Sequence, residues 1–151
     1  MNTAPSHIVQ QLLVGSSLVE APGGVKWPAF AGRLRDSIDQ GVEINDSAPN
    51  DDKGFDMRSK ELILKFGVQI IVRVGEQGYG KGLVKATKIH RRLEQTGRET
   101  VSIADYDDSA TIRNYEVAHV RCPNGVLYIG AGEDDERHHF SINAFLTAKE
   151  V

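Results

Sequence analysis

Over positions 7–20, Ile8, Leu12, Leu13 and Val19 recur at helical spacing among Gln10, Gln11, Ser16 and Ser17. The pattern predicts an amphipathic first helix, capped by Ser6 and ended by Gly23-Gly24. A short region around Trp27, Pro28 and Phe30 follows, then a helical turn over 33–40 and a brief strand at 42–45. From 46 to 58 the chain turns polar and rich in breakers (Asp46, Ser47, Pro49, Asn50, Asp51, Asp52, Gly54), which predicts a long exposed loop.

The second half carries stronger periodicity. Residues 62–66 and 68–74 are β-branched and apolar, with Gly67 between them as a bulge, bend or tight connection in one long or broken strand. Leu83, Ala86, Ile89, His90 and Leu93 line one face of a helix from about 80 to 95, and Gly97 stops it. Strands follow at 100–106 and 111–120, at 125–129 and at 139–147. In the last, Phe140, Ile142, Ala144 and Leu146 alternate with Ser141, Asn143, Phe145 and Thr147, so one face is buried. Asn124-Gly125 between two strand candidates is a hairpin signal, because both residues tolerate positive φ. The expected architecture is α+β: a mixed, largely antiparallel sheet with two main helices packed on one face and long loops.

Composition bounds this picture. At 151 residues the chain fits one domain, and a chain of this size buries roughly two thirds of its unfolded surface. With 40% hydrophobic and 26% charged residues it is neither disordered nor membrane-embedded in character. Eighteen basic against 21 acidic residues leave a net charge of -3, without the basic excess of an autonomous nucleic-acid binder. The one cysteine, Cys122, has no partner for an internal disulfide or a CxxC site, which points to a reducing compartment. No apolar run approaches the roughly 18 residues that span a bilayer, and Met1-Asn-Thr-Ala-Pro5 is unlike a signal peptide, so no membrane partner is expected.

Four constellations bear on chemistry. Residues 75–82 (Gly-Glu-Gln-Gly-Tyr-Gly-Lys-Gly) lie between strand and helix, as a phosphate-binding loop does, and Val101 to Asp105 could be the metal-holding strand. Gly82, however, stands where the Mg²⁺-binding hydroxyl belongs, and hairpins follow where parallel strands are needed. Lys81, Lys85, Lys88 and Arg92 form a stripe at i, i+4, i+7 and i+11. With Arg91 and Arg98, and only Glu94 opposing, the stripe is a solvated face or a surface for phosphates or an acidic neighbour. His138 and His139, adjacent on a strand, point to opposite faces and do not share one metal; Glu133, Asp134, Asp135 and Glu136 beside them read as an acidic hairpin loop. Asp105, Asp107 and Asp108 cluster without a base or nucleophile at diagnostic spacing, while His90 and Cys122 read as packed structural residues. No catalytic, cofactor-binding or metal-binding set emerges, and an enzyme is not expected.

The run Phe66-Gly-Val-Gln-Ile-Ile-Val-Arg-Val74, then Gly78-Tyr79 and Lys85-Ala-Thr-Lys-Ile-His-Arg-Arg-Leu93, resembles the minor capsid and tail-terminator (tail-completion) proteins of long-tailed bacteriophages. In that family a GVQ-type strand ending in Val-Arg precedes a Gly-Tyr loop and a helix of the form Ala-x-x-Ile-x-x-x-Leu. Arg137-His-His-Phe-Ser-Ile-Asn-Ala-Phe145 continues the likeness, which covers the chain from about Leu62 onward and the earlier part only in outline. The resemblance implies a virion protein at the head-tail junction, assembled in the host cytoplasm. It would form a hexameric ring that ends growth of the tail tube and joins it to the head connector or stopper protein, with genomic DNA passing through the lumen. A neighbouring neck component, such as a head-completion or stopper protein, is the alternative. Such a ring is mechanical and needs two matching patches per subunit. The 46–58 loop, with Asp51 and Asp52, and the acidic hairpin at 133–136 are candidate interface arms; Lys81, Lys85, Lys88 and Arg92 are candidates to face the lumen or a neighbour.

Overall fold

A computed structural model describes residues 4–47, 64–130 and 136–151. Nine elements follow in order: α1 (Pro5–Gly15), β1 (Ala29–Ala31), β2 (Gly41–Ser47), β3 (Leu64–Val74), α2 (Tyr79–Glu94), β4 (Gly97–Ala104), β5 (Ile112–Arg121), β6 (Val126–Gly130) and β7 (His138–Glu150). The strands form one curled seven-stranded sheet in the order β1-β2-β3-β7-β5-β4, with β6 also on β7. Among the named strands of the described residues only the β1–β2 pairing is parallel. The fold is thus α+β, a mixed and largely antiparallel sheet with two helices.

Register explains how one face becomes the core. Val68, Ile70 and Val72 of β3 lie directly opposite Ala144, Ile142 and Phe140 of β7, and Val42 and Ile44 of β2 oppose Val72 and Ile70. Directly opposed residues of an antiparallel pair share a face. All six of those β3 and β7 positions and their two β2 partners are buried, and Ile8, Val9, Leu12 and Leu13 of α1 and Ala86, Ile89 and Leu93 of α2 join the same cluster. Full burial of each large aliphatic side chain contributes about 1.5–3 kcal/mol.

Four local expectations differ from the structure. First, α1 stops at Gly15: Ser16 turns its hydroxyl onto Leu12 O at 2.7 Å and Ser17 adopts φ 59°, so the serines compete for the backbone bonds that would extend the helix. Nor is Ser6 the cap. Pro5 opens the helix after Ala4, and the Ser6 N–H and hydroxyl donate to Asp46 at 2.8 and 3.2 Å, so a β2 carboxylate caps the helix from 40 residues away. Asp46 and Ser47 therefore belong to a strand, and the rest of the expected loop, including Asp51 and Asp52, lies outside the described residues.

Second, the strand expected as long or broken is the long one: β3 pairs continuously with both β2 and β7 through Gly67, which is neither a bulge nor a connection. Third, residues 33–40 form no helix. They cross the outer sheet face, where buried Leu34 packs against Gly41 and the Arg73 guanidinium donates to the carbonyls of Arg35 and Ile38 at 2.9 and 3.2 Å.

Fourth, Asn124-Gly125 makes a turn but no hairpin. Gly125 has φ 63° and its N–H reaches Cys122 O at 3.2 Å, yet β5 and β6 both run antiparallel to β7. They lie end to end along one edge of β7: Arg121 faces Phe145, Val126 faces Ile142, and the chain between them loops outward. A bulge between Val117 and His119 resets the phase of β5, so that Tyr115, Val117 and Val120 all reach the core face.

Candidate functional site

The basic stripe divides in two. Lys85 spans from α2 to the 18–27 segment, donating from Nζ to Leu18 O at 2.8 Å and lying 5.2 Å from the centre of the Trp27 ring. Burial and the neighbouring Lys88 lower its pKa, with Glu20 pulling the other way. Arg92 is tied down more firmly. Its guanidinium grips both oxygens of Glu99 at 2.6 and 2.9 Å, reaches the Thr96 hydroxyl at 2.9 Å and also bonds the Ser16 hydroxyl. Lys85 and Arg92 thus fasten the helix to the fold, and Lys81 and Lys88 are the exposed members of the stripe, joined by exposed Arg91. Of the four residues expected on this face, Lys85 and Arg92 are half-buried.

Gly82, beside the stripe, has a packing reason. A Cβ on Gly82 would stand 2.7 Å from Val74 Cγ2 and 2.8 Å from Phe140 Cε2, so its absence lets α2 sit close on the sheet. The preceding strand, β3, is antiparallel to both neighbours, and Val101–Asp105 runs along antiparallel β4 into a turn. Asp105 there is buried against Arg113, which also holds Glu150 at 2.6 Å; both carboxylates raise the Arg113 pKa. Asp107 donates its N–H to Asp105 at 2.7 Å, and Asp108 accepts from Ala110 and Thr111. That acidic cluster is an internally bonded turn.

Around the N-terminal end of α2 lies exposed apolar surface that the sequence reading did not single out. Leu127, Tyr128 and Ile129 of β6 are 42, 47 and 54% exposed, and Tyr79, Leu83 and Val84 of α2 are 44, 39 and 54% exposed; Tyr128 lies against Tyr79, while Leu127 is on the opposite face of the strand. Leu83, expected on the buried face, points outward instead, because buried Gly82 takes the position nearest the sheet. Tyr79 sits at the centre of an aromatic group, 5.3–5.4 Å from the rings of Tyr128, His138 and Phe140. His138 donates from Nε2 to Glu76 O at 2.7 Å, so its Nδ1 accepts from the Tyr128 hydroxyl at 2.8 Å. Among the described residues β6 pairs only with β7, and its outer backbone edge is open. Sequence shows the signal in hindsight as three consecutive apolar residues on a short strand.

The acidic run expected as a hairpin loop falls between β6 and β7 in the sequence. Glu133, Asp134 and Asp135 lie outside the described residues; Glu136 is exposed, and a hydrogen bond to Glu76 together with its like charge raises the Glu136 carboxyl pKa. His138 and His139 oppose Val74 and Arg73, so they do face opposite sides of the sheet. On the outer face Lys65, His119 and Arg121 flank Phe145 and Thr147 around a small pocket of about 70 Å³.

At the C-terminal end of α2, the outward loop between β5 and β6 brings Cys122 against the helix. Its backbone N–H donates to Glu94 Oε1 at 2.7 Å, and its carbonyl accepts from His90 Nε2 at 3.3 Å. One ligand atom each from His90, Glu94 and Cys122 lies within 4.8 Å of the others. Burial, then the Glu94 charge, pushes the Cys122 thiol up to about 12. His90 and Glu94 are one helical turn apart, which the sequence displays; their meeting with Cys122 follows only from the outward loop.

The chain matches no protein-family model and no curated protein.

Proposed function

We propose that this protein is a structural subunit of a ring that caps the completed tail tube of a long-tailed bacteriophage, ends its polymerisation and joins it to the head connector. The observation that carries the reading is the arrangement of the residues bearing the family resemblance. Residues 66–74, 78–79, 85–93 and 137–145 build one continuous unit of β3, the Gly78-Tyr79 turn, α2 and β7. At the rim of that unit Tyr79, Leu83 and Val84 of α2 are exposed, with Tyr128 of β6 against Tyr79 and Leu127 on the opposite face of the same strand, next to an open strand edge. Exposed apolar side chains gathered at one edge of a small domain suit burial against another subunit. Exposed Lys81, Lys88 and Arg91 on the same helix supply a charged border for an acidic patch of the neighbour.

The tube protein, the connector or stopper protein and unspecifically contacted DNA are the partners this role entails, at the virion neck. Negative-stain imaging and mass measurement of the full chain test it: closed rings, hexameric in number, that bind tail tubes are expected, and a strict monomer indifferent to tubes overturns it. Particles made without the protein separate the two neck roles. Overlong or unjoined tails fit a terminator, whereas heads that leak DNA assign it as a stopper.

A further inference from the structure

The geometry points to a binding site for a zinc-class divalent cation formed by His90, Glu94 and Cys122, and we propose that such an ion pins the C-terminal end of α2 to the outward loop between β5 and β6. This stands apart from the ring reading, since all three ligands lie within one subunit.

Three features carry it. The ligand types are an imidazole, a carboxylate and a thiol, each from a residue with one donor atom within 4.8 Å of the other two. Ligands around a tetrahedral zinc lie about 3–4 Å apart, given metal–ligand bonds of about 2.0–2.3 Å, so a small inward rotation of side chains closes the set. The thiolate and imidazole select zinc or cobalt over magnesium or calcium, which take oxygen ligands. Second, the backbone already organises the site: the Cys122 N–H holds Glu94 Oε1 at 2.7 Å, fixing the carboxylate beside the thiol of the same residue. Third, the thiol is buried at 3% exposure, while the His90 and Glu94 side chains are 28 and 40% exposed. Ion and water can therefore enter from the helix side, and water completes the fourth position.

Binding is balanced as an exchange. The Cys122 S–H bond breaks, its sulfur electron pair forms the metal–sulfur bond, and one proton leaves to solvent. His90 binds as the neutral ring, through a nitrogen whose lone pair is free; if that nitrogen is Nε2, the ring hydrogen moves to Nδ1 and the contact with Cys122 O is given up.

The test uses the full chain, reduced and stripped of metal, titrated with Co²⁺ and then with Zn²⁺. One equivalent of Co²⁺ should produce a sulfur-to-cobalt charge-transfer absorption that Zn²⁺ abolishes, with one proton released per ion. Cys122→Ser should lose the absorption. Glu94→Gln is the informative second variant, because its amide oxygen still accepts the Cys122 N–H while the ligand charge is gone. It should fold as the parent does yet bind Zn²⁺ roughly tenfold or more weakly. Zn²⁺ should also raise the parent's thermal midpoint and barely move that of Glu94→Gln. Absence of the charge-transfer absorption at one equivalent, its persistence in Cys122→Ser, or equal Zn²⁺ affinity in the parent and Glu94→Gln overturns the site.

Discussion

At its N-terminal end α2 presents Tyr79, Leu83 and Val84 to solvent beside the apolar strand β6; at its C-terminal end Arg92 grips Glu99, Thr96 and Ser16, and Glu94 holds Cys122. One end keeps exposed apolar surface over a close-packed floor of Val74 and Phe140. The other spends its polar groups inside the subunit. A single sixteen-residue helix thus divides its duties, with surface left for a partner at one end and an internal fastening at the other. Charged residues in one sequence stripe fall on both sides of that division.

The sharpest way to break the fastened end is Arg92→Met, which keeps the apolar stem and removes the guanidinium fork. Glu99, Thr96 and Ser16 lose a shared donor, and charge-assisted hydrogen bonds of this kind are each worth about 1.5–3 kcal/mol. Glu99 is partly open to water, so a net loss of about 2–3 kcal/mol is expected from the shift in urea midpoint. A change under about 0.5 kcal/mol would place Arg92 among ordinary surface charges.

Two neighbouring glycines sharpen the contrast at the other end. Gly82→Ala drives its Cβ into Val74 and Phe140 and should destabilise by about 1–3 kcal/mol. Gly80, two residues earlier, has nothing within 4 Å of an added Cβ, so Gly80→Ala should stabilise the helix by about 0.5–1 kcal/mol. Equal effects in urea unfolding would mean that the close approach of α2 to the sheet is not what Gly82 serves.

What the sequence made legible follows from range. The alternation of β7, the apolar run of β3 and the periodicity of α2 depend on neighbours a few residues away, and all three stand as elements in the structure. The Asn124-Gly125 turn was equally legible as a turn, because positive φ at Gly125 is a local property. Whether the chain then reverses is decided by β7, which takes β5 and β6 along one edge, and no local signal near 122–125 carries that choice. The same limit hid the Asp46 cap of α1 and the destinations of Lys85 and Arg92, whose partners stand far away in the chain or on other elements. Half of the basic stripe was therefore an anchor that its helical spacing could not distinguish from a free face.

Leu127→Ser combined with Ile129→Ser probes the exposed rim with little cost to the fold. Both side chains are about half exposed, so urea stability should change by about 0.5 kcal/mol or less, while association in solution should fall sharply. Unchanged association, measured by sedimentation at matched concentration, would move the self-contact to another surface.

The last comparison is read by pH at the fastened end, where nothing changes at neutral pH. The Cys122 thiol ionises at about 12 in the folded chain against a reference of 9.0, because burial and the Glu94 charge disfavour the thiolate. Between those values the unfolded chain has lost the thiol proton and the folded chain keeps it, so unfolding is increasingly favoured as pH rises. Stability attributable to this group is fully present below about pH 9 and is lost progressively toward pH 12. Other groups also titrate there, so the informative quantity is a difference: the parent should lose stability with pH more steeply than Cys122→Ala, and Glu94→Gln should fall between them because it removes only the second cause. Zinc at saturating concentration should flatten the parent's decline, since the bound thiolate no longer has a proton to keep. If the parent and Cys122→Ala decline in parallel, the thiol is not the sequestered group that its position against α2 makes it, and the fastening at this end rests on Arg92 and the Cys122 backbone alone.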